Sequence, residues 1–264
     1  QIIKRYDAVN RNPVNTPMVP FDQRKPSTGK ELSPEERRKI PFRRVIGSLL
    51  YLQNGTRPDI SYSTNVLSRR QSNFDLYDWN RVQRVISYLK GTMEMGLLYK
   101  GEDDTIECFV DASLGTNDIA GHSTSGLIIK LFGDVVYWKT KKQNHVALST
   151  AESEYVALSL ACRELSNIRA MSHNLIGRNM IPIVYEDSVA AIELAKTDES
   201  STLKHLVYLH YHYVRSEVKQ KLVNITWIST DQQIADMLTK ALEPSKFVGF
   251  RDQIMYDPHK KPRL

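Results

Sequence analysis

The sequence predicts an α/β fold in which a mixed five-stranded sheet is flanked by helices and preceded by a small, mainly helical segment. Two observations support this prediction. After about residue 100 the predicted elements follow the order βββαβααβα, and strands separated by helices are typical of a mixed sheet with helices packed on it. The preceding residues instead combine a proline-rich start with helical periodicity.

The composition excludes several classes of protein. Of the 264 residues, 41% are hydrophobic and 25% are charged, which provides for a core and excludes wholesale disorder. No run approaches the roughly 18 apolar residues of a membrane span, so no membrane partner is expected. Two cysteines cannot form a disulfide framework and favour a reducing compartment. Because the chain starts at Gln1 without a signal segment, we expect a piece of a longer protein.

Basic residues are concentrated in the first part of the chain. Residues 1–100 contain 18 Lys and Arg against 9 Asp and Glu, whereas residues 101–264 contain 18 against 21. The resulting excess of positive charge in the first part favours a polyanionic partner, of which nucleic acid is the commonest. A solvated basic surface is the alternative that charge alone leaves open.

The first part of the chain predicts a linker followed by helices. Five prolines within residues 1–40 indicate loop with little regular structure. The predicted helices cover about residues 43–53, 60–71 and 77–90. The last is amphipathic, because an apolar stripe runs from Trp79 to Leu89 at intervals of three and four residues. Gly91 is expected to end it.

The second part of the chain predicts the sheet. A short strand at 106–110 ends at Asp111. Two β-rich runs, 126–132 and 135–139, are joined by Gly133-Asp134, which is a two-residue hairpin signal. The remaining predicted elements are helix 150–176, strand 181–185, helices 189–196 and 205–219, strand 222–228 and helix 231–242.

Two aspartates directly follow predicted strands. Asp111 closes the first strand, and Asp187 follows the strand after the long helix. Because sites in open α/β sheets form at the carboxyl ends of strands, two such residues on neighbouring strands would point into one crevice. Aspartate is also common in turns and at helix N-caps, so for each residue alone a structural role stays open.

The long helix adds a third carboxylate. Ser149 and Glu152 fit a capping box, which gives Glu152 a structural role. Glu154 instead heads an apolar stripe that continues to Ile168, and this spacing places it on the face that packs against the sheet. A buried acid is costly unless it is paired or bound to a metal.

Asp236, early in the last predicted helix, is the fourth candidate, although by spacing alone it could be an acid that the helix dipole favours. Four convergent carboxylates would repel one another unless divalent cations neutralised them. Oxygen ligands favour Mg²⁺ or Mn²⁺, and two such ions about 4 Å apart can activate a water and stabilise the leaving oxygen of a phosphodiester. Cys108 and Cys162 stand alone and are expected in the core.

Several motifs together resemble one protein family. Three segments resemble the ribonuclease H domain of copia-type LTR retrotransposon Pol polyproteins. They are STSGLIIKLFGDVVYWKTKKQNHVALSTAESEY, YEDSVAAIELAK and DQQIADMLTKAL. Two earlier segments resemble the thumb or connection region of the same polyproteins. They are PFRRVIGSLLYLQNGTRPDISYSTNVLSRRQSN and WNRVQRVISYLKGTMEMGLLY. The resemblance covers about residues 12–245 and implies a ribonuclease H-like fold. It also implies four regions: linker and end of the reverse-transcriptase palm 1–40, thumb or connection 41–100, ribonuclease H domain 101–245 and C-terminal tail 246–264.

The resemblance implies a complete set of four catalytic and metal-binding acids. The family's first-strand Asp matches Asp111, its helix Glu matches Glu154, its second Asp matches Asp187, and its last Asp matches Asp236. They are expected to bind two Mg²⁺ ions, for which Mn²⁺ can substitute. Asp111 and Asp187 would be shared by both ions, Glu154 would hold the ion near the scissile phosphate, and Asp236 the ion that positions the attacking water.

The chain departs from the family pattern near these acids. Asp111-Ala112-Ser113-Leu114 stands where the family usually has Asp-Ala-Asp-Trp. Glu186-Asp187-Ser188 replaces Cys-Asp-Asn and places an extra acid beside the site. The paired-Asp motif of the polymerase is absent, so this chain by itself is not expected to be a working reverse transcriptase.

The resemblance predicts a metal-dependent endonuclease that cuts the RNA strand of RNA–DNA hybrids during reverse transcription, with the polymerase domain of the same polyprotein as a partner. The residues expected to contact nucleic acid are Ser125, Trp138, Lys139, Lys141, Lys142, Arg81 and Arg84. An aromatic and basic strand end suits a phosphate backbone, although solvated lysines are an equal alternative. The expected location is the cytoplasm, in a virus-like particle, or the nucleus. A catalytically inactive hybrid-binding remnant and another nuclease on the same fold, such as an integrase or resolvase, are the alternatives.

Overall fold

The computed structural model describes residues 2–6, 12–20, 31–115, 121–197 and 205–260. The chain forms two compact units: the first combines Gln1–Leu98 with Lys240–Leu264, and the second is Tyr99–Thr239. The elements are α1 (Ile2–Tyr6), α2 (Pro34–Lys39), α3 (Phe42–Gly55), α4 (Ser61–Ser68), α5 (Leu76–Gly91), β1 (Ile106–Ser113), β2 (Thr124–Leu131), β3 (Asp134–Lys142), α6 (Thr150–Ile176), β4 (Ile183–Glu186), α7 (Val189–Lys196), α8 (His205–Lys219), β5 (Asn224–Trp227) and α9 (Pro244–Ile254), with 3₁₀ turns at Pro58–Ile60 and Ile234–Leu238.

The first unit is helical, and its helix starts follow from local sequence. Asp75 and Asp78 form a reciprocal capping box at the start of α5. Ser33 and Glu36 do the same for α2, with Pro34 at the first helical position. The stretch 1–40, for which the sequence predicts little regular structure, therefore contains two short helices, α1 and α2.

The segment after residue 240 is packed into the first unit. Tyr88 of α5 meets Phe247 of α9 edge-on, with ring centroids 5.8 Å apart. Gly96 and Tyr256 exchange backbone hydrogen bonds of 3.1 and 2.7 Å. The stretch 246–264, for which the resemblance implies a C-terminal tail, thus supplies most of a helix to this unit.

The second unit is built on one sheet. Its strand order is β3-β2-β1-β4-β5. The strand β1 runs antiparallel to β2 and parallel to β4, β2 is antiparallel to β3, and β4 is parallel to β5. These four pairings place β1 at the centre of a mixed sheet. The helix α6 packs on β1 and β2, α7 packs on β4 and β5, and α8 packs against α6 and α7. The predicted fold class, a mixed five-stranded sheet flanked by helices and preceded by a mainly helical segment, is confirmed.

The core of the second unit lies between α6 and the centre of the sheet. Cys108 and Val110 of β1 face Leu158, Cys162 and Leu165 of α6, and all five side chains are fully buried. Both cysteines are unpaired and buried, so the prediction that they are core residues is confirmed. Among the described residues, no helix has the length and apolar character needed to cross a membrane.

Three local predictions are wrong. The strand predicted at 106–110 continues to Ser113, so Asp111 lies within β1 and does not close it. The hairpin between β2 and β3 turns at Phe132-Gly133, one residue earlier than predicted, because Leu131 pairs with Asp134. Both turn residues have positive φ, 57° and 86°, which matches the twist of a type I′ hairpin. The helix predicted at 231–242 is only the 3₁₀ turn Ile234–Leu238.

Side-chain contacts at both ends explain why that last helix is short. The Gln233 side chain accepts a hydrogen bond from Ala235 N, and its Nε2 donates to the Val110 and Tyr185 carbonyls of β1 and β4 at 2.9 and 3.2 Å. At the other end, the Thr239 hydroxyl donates to Asp111 of β1. These contacts fix the turn against the sheet.

Candidate metal centre

Three of the predicted acids converge at one end of the sheet. Asp111 lies near the end of β1, Glu154 in the first turns of α6, and Asp187 directly after β4. One carboxylate oxygen from each lies within 4.8 Å of the others. Because β1 and β4 are parallel neighbours with Phe109 opposite Tyr185, the two aspartates leave the sheet at the same height. The sequence-based expectation that their side chains meet in one crevice agrees with this geometry.

The three acids are largely removed from solvent. Asp111 is 2% exposed and Glu154 is 7% exposed, whereas Asp187 is half-buried. Within the described part of the chain, Glu154 Oε2 is buried and has no hydrogen-bond partner. Burial raises the pKa of Glu154 well above its usual value, and the negative charges of Asp111, Glu186 and Asp187 raise it further.

These residues fit a hard divalent cation. The donors are carboxylate oxygens only, which favours Mg²⁺ or Mn²⁺ over softer metals. A buried carboxylate oxygen without a hydrogen bond, next to two other carboxylates, is stabilised when a cation binds to it. The buried Oε2 of Glu154, which has no hydrogen-bond partner among the described residues, therefore supports a metal site formed by Asp111, Glu154 and Asp187.

Two hydroxyl groups orient the aspartates. Thr239 Oγ1 donates to Asp111 Oδ2, and Thr230 Oγ1 donates to Asp187 Oδ2 at 2.7 Å. Gly126, which pairs with Asp111 on the adjacent strand, lets Thr239 come this close. A Cβ atom on Gly126 would lie 2.6 Å from Thr239 Cγ2. The position requires glycine for space, and sequence reasoning did not single it out.

A fourth acid that the sequence marked only as an extra one, Glu186, lies beside this group. It is the last residue of β4 and is fully buried. Its Oε1 accepts a hydrogen bond from Ser188 N at 3.0 Å, and its Oε2 has no partner among the described residues. Burial raises the pKa of Glu186 well above its usual value, and the charges of Asp111 and Asp187 raise it further.

Asp236 is not a member of the three-acid group. It is fully buried in the 3₁₀ turn, and no oxygen of it belongs to the described set of ligand oxygens within 4.8 Å. Its carbonyl oxygen lies 3.1 Å from Thr239 Oγ1, the hydroxyl that donates to Asp111. Asp236 is thus linked to the group through Thr239, and its role as a metal ligand stays a prediction.

The residues expected to contact nucleic acid differ in their surroundings within the second unit. Ser125 is buried and accepts a hydrogen bond from Gln143. Lys139 donates to Glu164 Oε1 at 2.8 Å and to the Tyr137 hydroxyl at 3.2 Å. Trp138 and Lys142 are half-buried, and Lys141 is exposed. Of this group, Lys141 has the surroundings that suit a phosphate contact best.

The two arginines of α5 make contacts within the first unit. Arg84 Nη2 donates to Thr16 Oγ1 at 2.9 Å. Arg81 lies 3.7 Å from the Asp78 carboxylate and contacts the Met18 sulfur. Both side chains are partly buried, so they hold residues 12–20 against α5. Their contact with nucleic acid stays a prediction.

The histidines of α8 belong to no metal-binding group that includes three or more described side chains. His210 Nδ1 lies 2.8 Å from Ser159 Oγ, and its ring stacks on that of His145 with centroids 6.2 Å apart. His210 therefore contacts α6 and the loop that precedes that helix. The side chain of His205 lies outside the described residues.

Comparison with known proteins places the chain among transposon polyproteins. No family model matches it. It is 30% identical over 253 residues to the retrovirus-related Pol polyprotein from transposon TNT 1-94 of Nicotiana tabacum, an alignment that covers 94% of this chain and 19% of that protein. It is 33% identical over 260 residues to the corresponding polyprotein from transposon RE2 of Arabidopsis thaliana, covering 96% of this chain and 17% of that protein. The chain therefore spans less than a fifth of the length of these relatives.

Among solved structures, LC11-RNase H1, isolated from compost by a metagenomic approach, aligns with 52% of this chain and 93% of its own at 16% identity and a TM-score of 0.41.

Proposed function

Because the chain belongs to the copia-type retrotransposon Pol polyproteins, we propose that it acts as the ribonuclease H of such a polyprotein. It would hydrolyse the RNA strand of RNA–DNA hybrids during reverse transcription, alongside the polymerase domain of the same polyprotein. The observation that carries this proposal is the convergence of Asp111, Glu154 and Asp187 within 4.8 Å at the carboxyl ends of β1 and β4. The family also favours a location in a cytoplasmic virus-like particle or in the nucleus.

Asp111, Glu154 and Asp187 would hold a divalent cation. As the resemblance implies, Asp236 would complete the set for a second one. Two bound Mg²⁺ ions supply an activated water and stabilise the leaving oxygen of the phosphodiester. The chain's own residues keep the ligands in place, because Thr239 and Thr230 orient the two aspartates through their hydroxyl groups. Burial of Asp111 and Glu154 limits their hydration and strengthens their attraction for a cation. The RNA strand would be selected through its 2′-hydroxyl groups and the shape of the hybrid.

A groove in the first unit supports a nucleic-acid partner. Its volume is about 1230 Å³, and Lys4 and Arg5 of α1 line it together with Arg44, Gly47 and Tyr51 of α3. The three α3 residues follow one another at intervals of three and four, so they share one helix face. Tyr51 is 81% exposed. A basic groove with an exposed aromatic ring suits a sugar-phosphate backbone and its bases, and we propose that the hybrid binds there.

The test is cleavage of an RNA–DNA hybrid in Mg²⁺ by the full chain and by its Asp111→Asn variant. The wild-type chain should cut the RNA strand, and the variant should lose at least about a hundredfold in rate because a metal-binding oxygen is replaced by an amide. Glu193→Gln, an exposed charge removal on α7, is the matched control and should cut at the wild-type rate. Cleavage by the Asp111→Asn variant at the wild-type rate would contradict the proposed metal site. Binding without cleavage by the wild type would instead favour an inactive hybrid-binding remnant.

A further inference from the structure

The fully buried carboxylate of Glu186 is not one of the three proposed metal ligands. Its Oε1 is held by the backbone N–H of Ser188, and the backbone of Asp187 also hydrogen-bonds to this carboxylate. The side chain is therefore fixed to the backbone turn that carries Asp187. Its Oε2 has no hydrogen-bond partner among the described residues, although no part of Glu186 reaches solvent.

The carboxylate of Glu186 is next to Asp187 in the chain and forms no ion pair with a lysine, arginine or histidine among the described residues. A buried carboxylate in such a place lacks a counter-charge, and a cation between the neighbouring acids would supply one.

We propose that Glu186 is a positioning residue of the metal centre, whose fully buried carboxylate next to Asp187 strengthens divalent-cation binding. Glu186 is not one of the three acids whose oxygens meet within 4.8 Å, so it would support the cation without belonging to that group. Residues that support metal ligands in this way typically contribute about 10- to 100-fold in metal affinity. The inference rests on the proposed metal site, but not on the nature of the substrate.

The alternative role for Glu186 is purely structural, since its Oε1 also fixes the turn that leads into α7. The substitution Glu186→Gln separates the two roles. Glutamine keeps the size of the side chain and an oxygen that can accept from Ser188 N–H, and it removes the charge. A structural role therefore predicts that this variant resembles the wild type, whereas a charge-based role predicts a loss of cation affinity.

The experiment measures Mn²⁺ binding to the full chain without nucleic acid, by electron paramagnetic resonance of free Mn²⁺ and by calorimetry. Glu186→Gln should weaken binding by about tenfold or more. Glu193→Gln, on the neighbouring helix, should leave it unchanged. Thermal unfolding in a chelator checks that each variant folds.

Each result has a distinct meaning. If Glu186→Gln binds Mn²⁺ like the wild type while Asp111→Asn does not, the inference is wrong and the proposed function stands. If the wild type binds no Mn²⁺, both fail. If the wild type binds Mn²⁺ and Glu186→Gln weakens it, but no hybrid is cut, the inference holds and the proposed function fails. Should the glutamine variant not fold, Glu186→Asp keeps the charge and should bind within about threefold of wild type, and a tenfold loss would contradict the inference.

Discussion

Glu152 and Glu154 stand in the same turn of α6, yet only Glu154 joins the acidic group. The apolar stripe that Glu154 heads was enough to predict this, because helical spacing decides which carboxylate faces the sheet. Glu152 has a capping role, as predicted, but its Oε2 accepts from Leu148 N at 2.7 Å and not from Ser149. Such a detail depends on the path of the preceding loop, which no spacing rule specifies.

The fate of Asp236 shows the limit of residue-level prediction. Its place in the sequence motif is clear, but the predicted α-helix has 3.6 residues per turn whereas the 3₁₀ turn has three. The 3₁₀ turn is held by Gln233 and Thr239, whose side chains contact the distant strands β1 and β4, so the local sequence pattern could not predict it.

His210 should make the folded protein less stable in acid. Burial lowers the pKa of His210, and the positive charges of His145, Arg163 and Lys141 lower it further. The unfolded chain therefore binds a proton more readily than the folded one between that lowered pKa and the ordinary value of about 6.5, so stability falls as the pH drops through this window. His210→Gln removes this contribution. Urea unfolding at about pH 7 and pH 5 should show a smaller loss of stability in the variant than in the wild type, and equal losses would contradict the assignment.

At the scale of elements, the sequence located nearly every strand and helix of the second unit but not their exact turns. The helix predicted at 150–176 begins and ends where predicted. The β2–β3 hairpin turns one residue earlier than predicted because Phe132, a residue that rarely adopts positive φ, takes the first turn position. Pairing between Leu131 and Asp134 decides this, and pairing register is a property of two strands together.

The close packing of β2 against the 3₁₀ turn leaves no room for a side chain at Gly126, so a larger residue there should destabilise the protein. In Gly126→Ala, the new Cβ would lie 2.6 Å from Thr239 Cγ2 and 2.8 Å from Leu238 Cβ, so the turn must move. Overpacking of this kind costs about 1–3 kcal/mol. Because Thr239 holds Asp111, Mn²⁺ binding should weaken as well.

Urea unfolding and Mn²⁺ titration of Gly126→Ala measure the two effects. Gly249→Ala is the matched control, because a Cβ at that position of α9 meets nothing within 4 Å. It should stabilise the protein by about 0.5–1 kcal/mol through helix propensity. Equal stability of the Gly126 variant and the wild type would show that the turn does not depend on this close approach.

At the scale of the whole molecule, the two structural units differ more in net charge than residues 1–100 and 101–264 of the sequence do. The first unit carries 23 Lys and Arg against 12 Asp and Glu, and the second carries 13 against 18. The sequence predicted the sign of this division. It did not predict that residues after 240 belong to the basic unit, because the contacts that place them there join residues more than 150 positions apart, such as Tyr88 and Phe247.

The basic groove of the first unit should dominate the salt dependence of hybrid binding. Arg44→Gln removes one positive charge from the groove and should weaken hybrid binding for all sequences alike, and it should lower the slope of log K against log salt by about one. Arg178→Gln, which removes an exposed charge of the second unit, is the control and should leave the slope unchanged. Fluorescence anisotropy at several salt concentrations gives both slopes, and identical slopes for Arg44→Gln and the wild type would rule out the groove as the contact surface.

The return of α9 to the first unit also determines the order in which the chain can fold during synthesis. Domains generally fold as units while the ribosome makes them, and the N-terminal one usually comes first. Here the sheet unit ends at Thr239. When that residue has been synthesised, the helical unit still lacks α9 and Tyr256, the bridge partner of Gly96. The unit that begins the chain is therefore the last to be completed, and until then the apolar surface that Phe247 and Phe250 will cover stays open to the solvent and to chaperones.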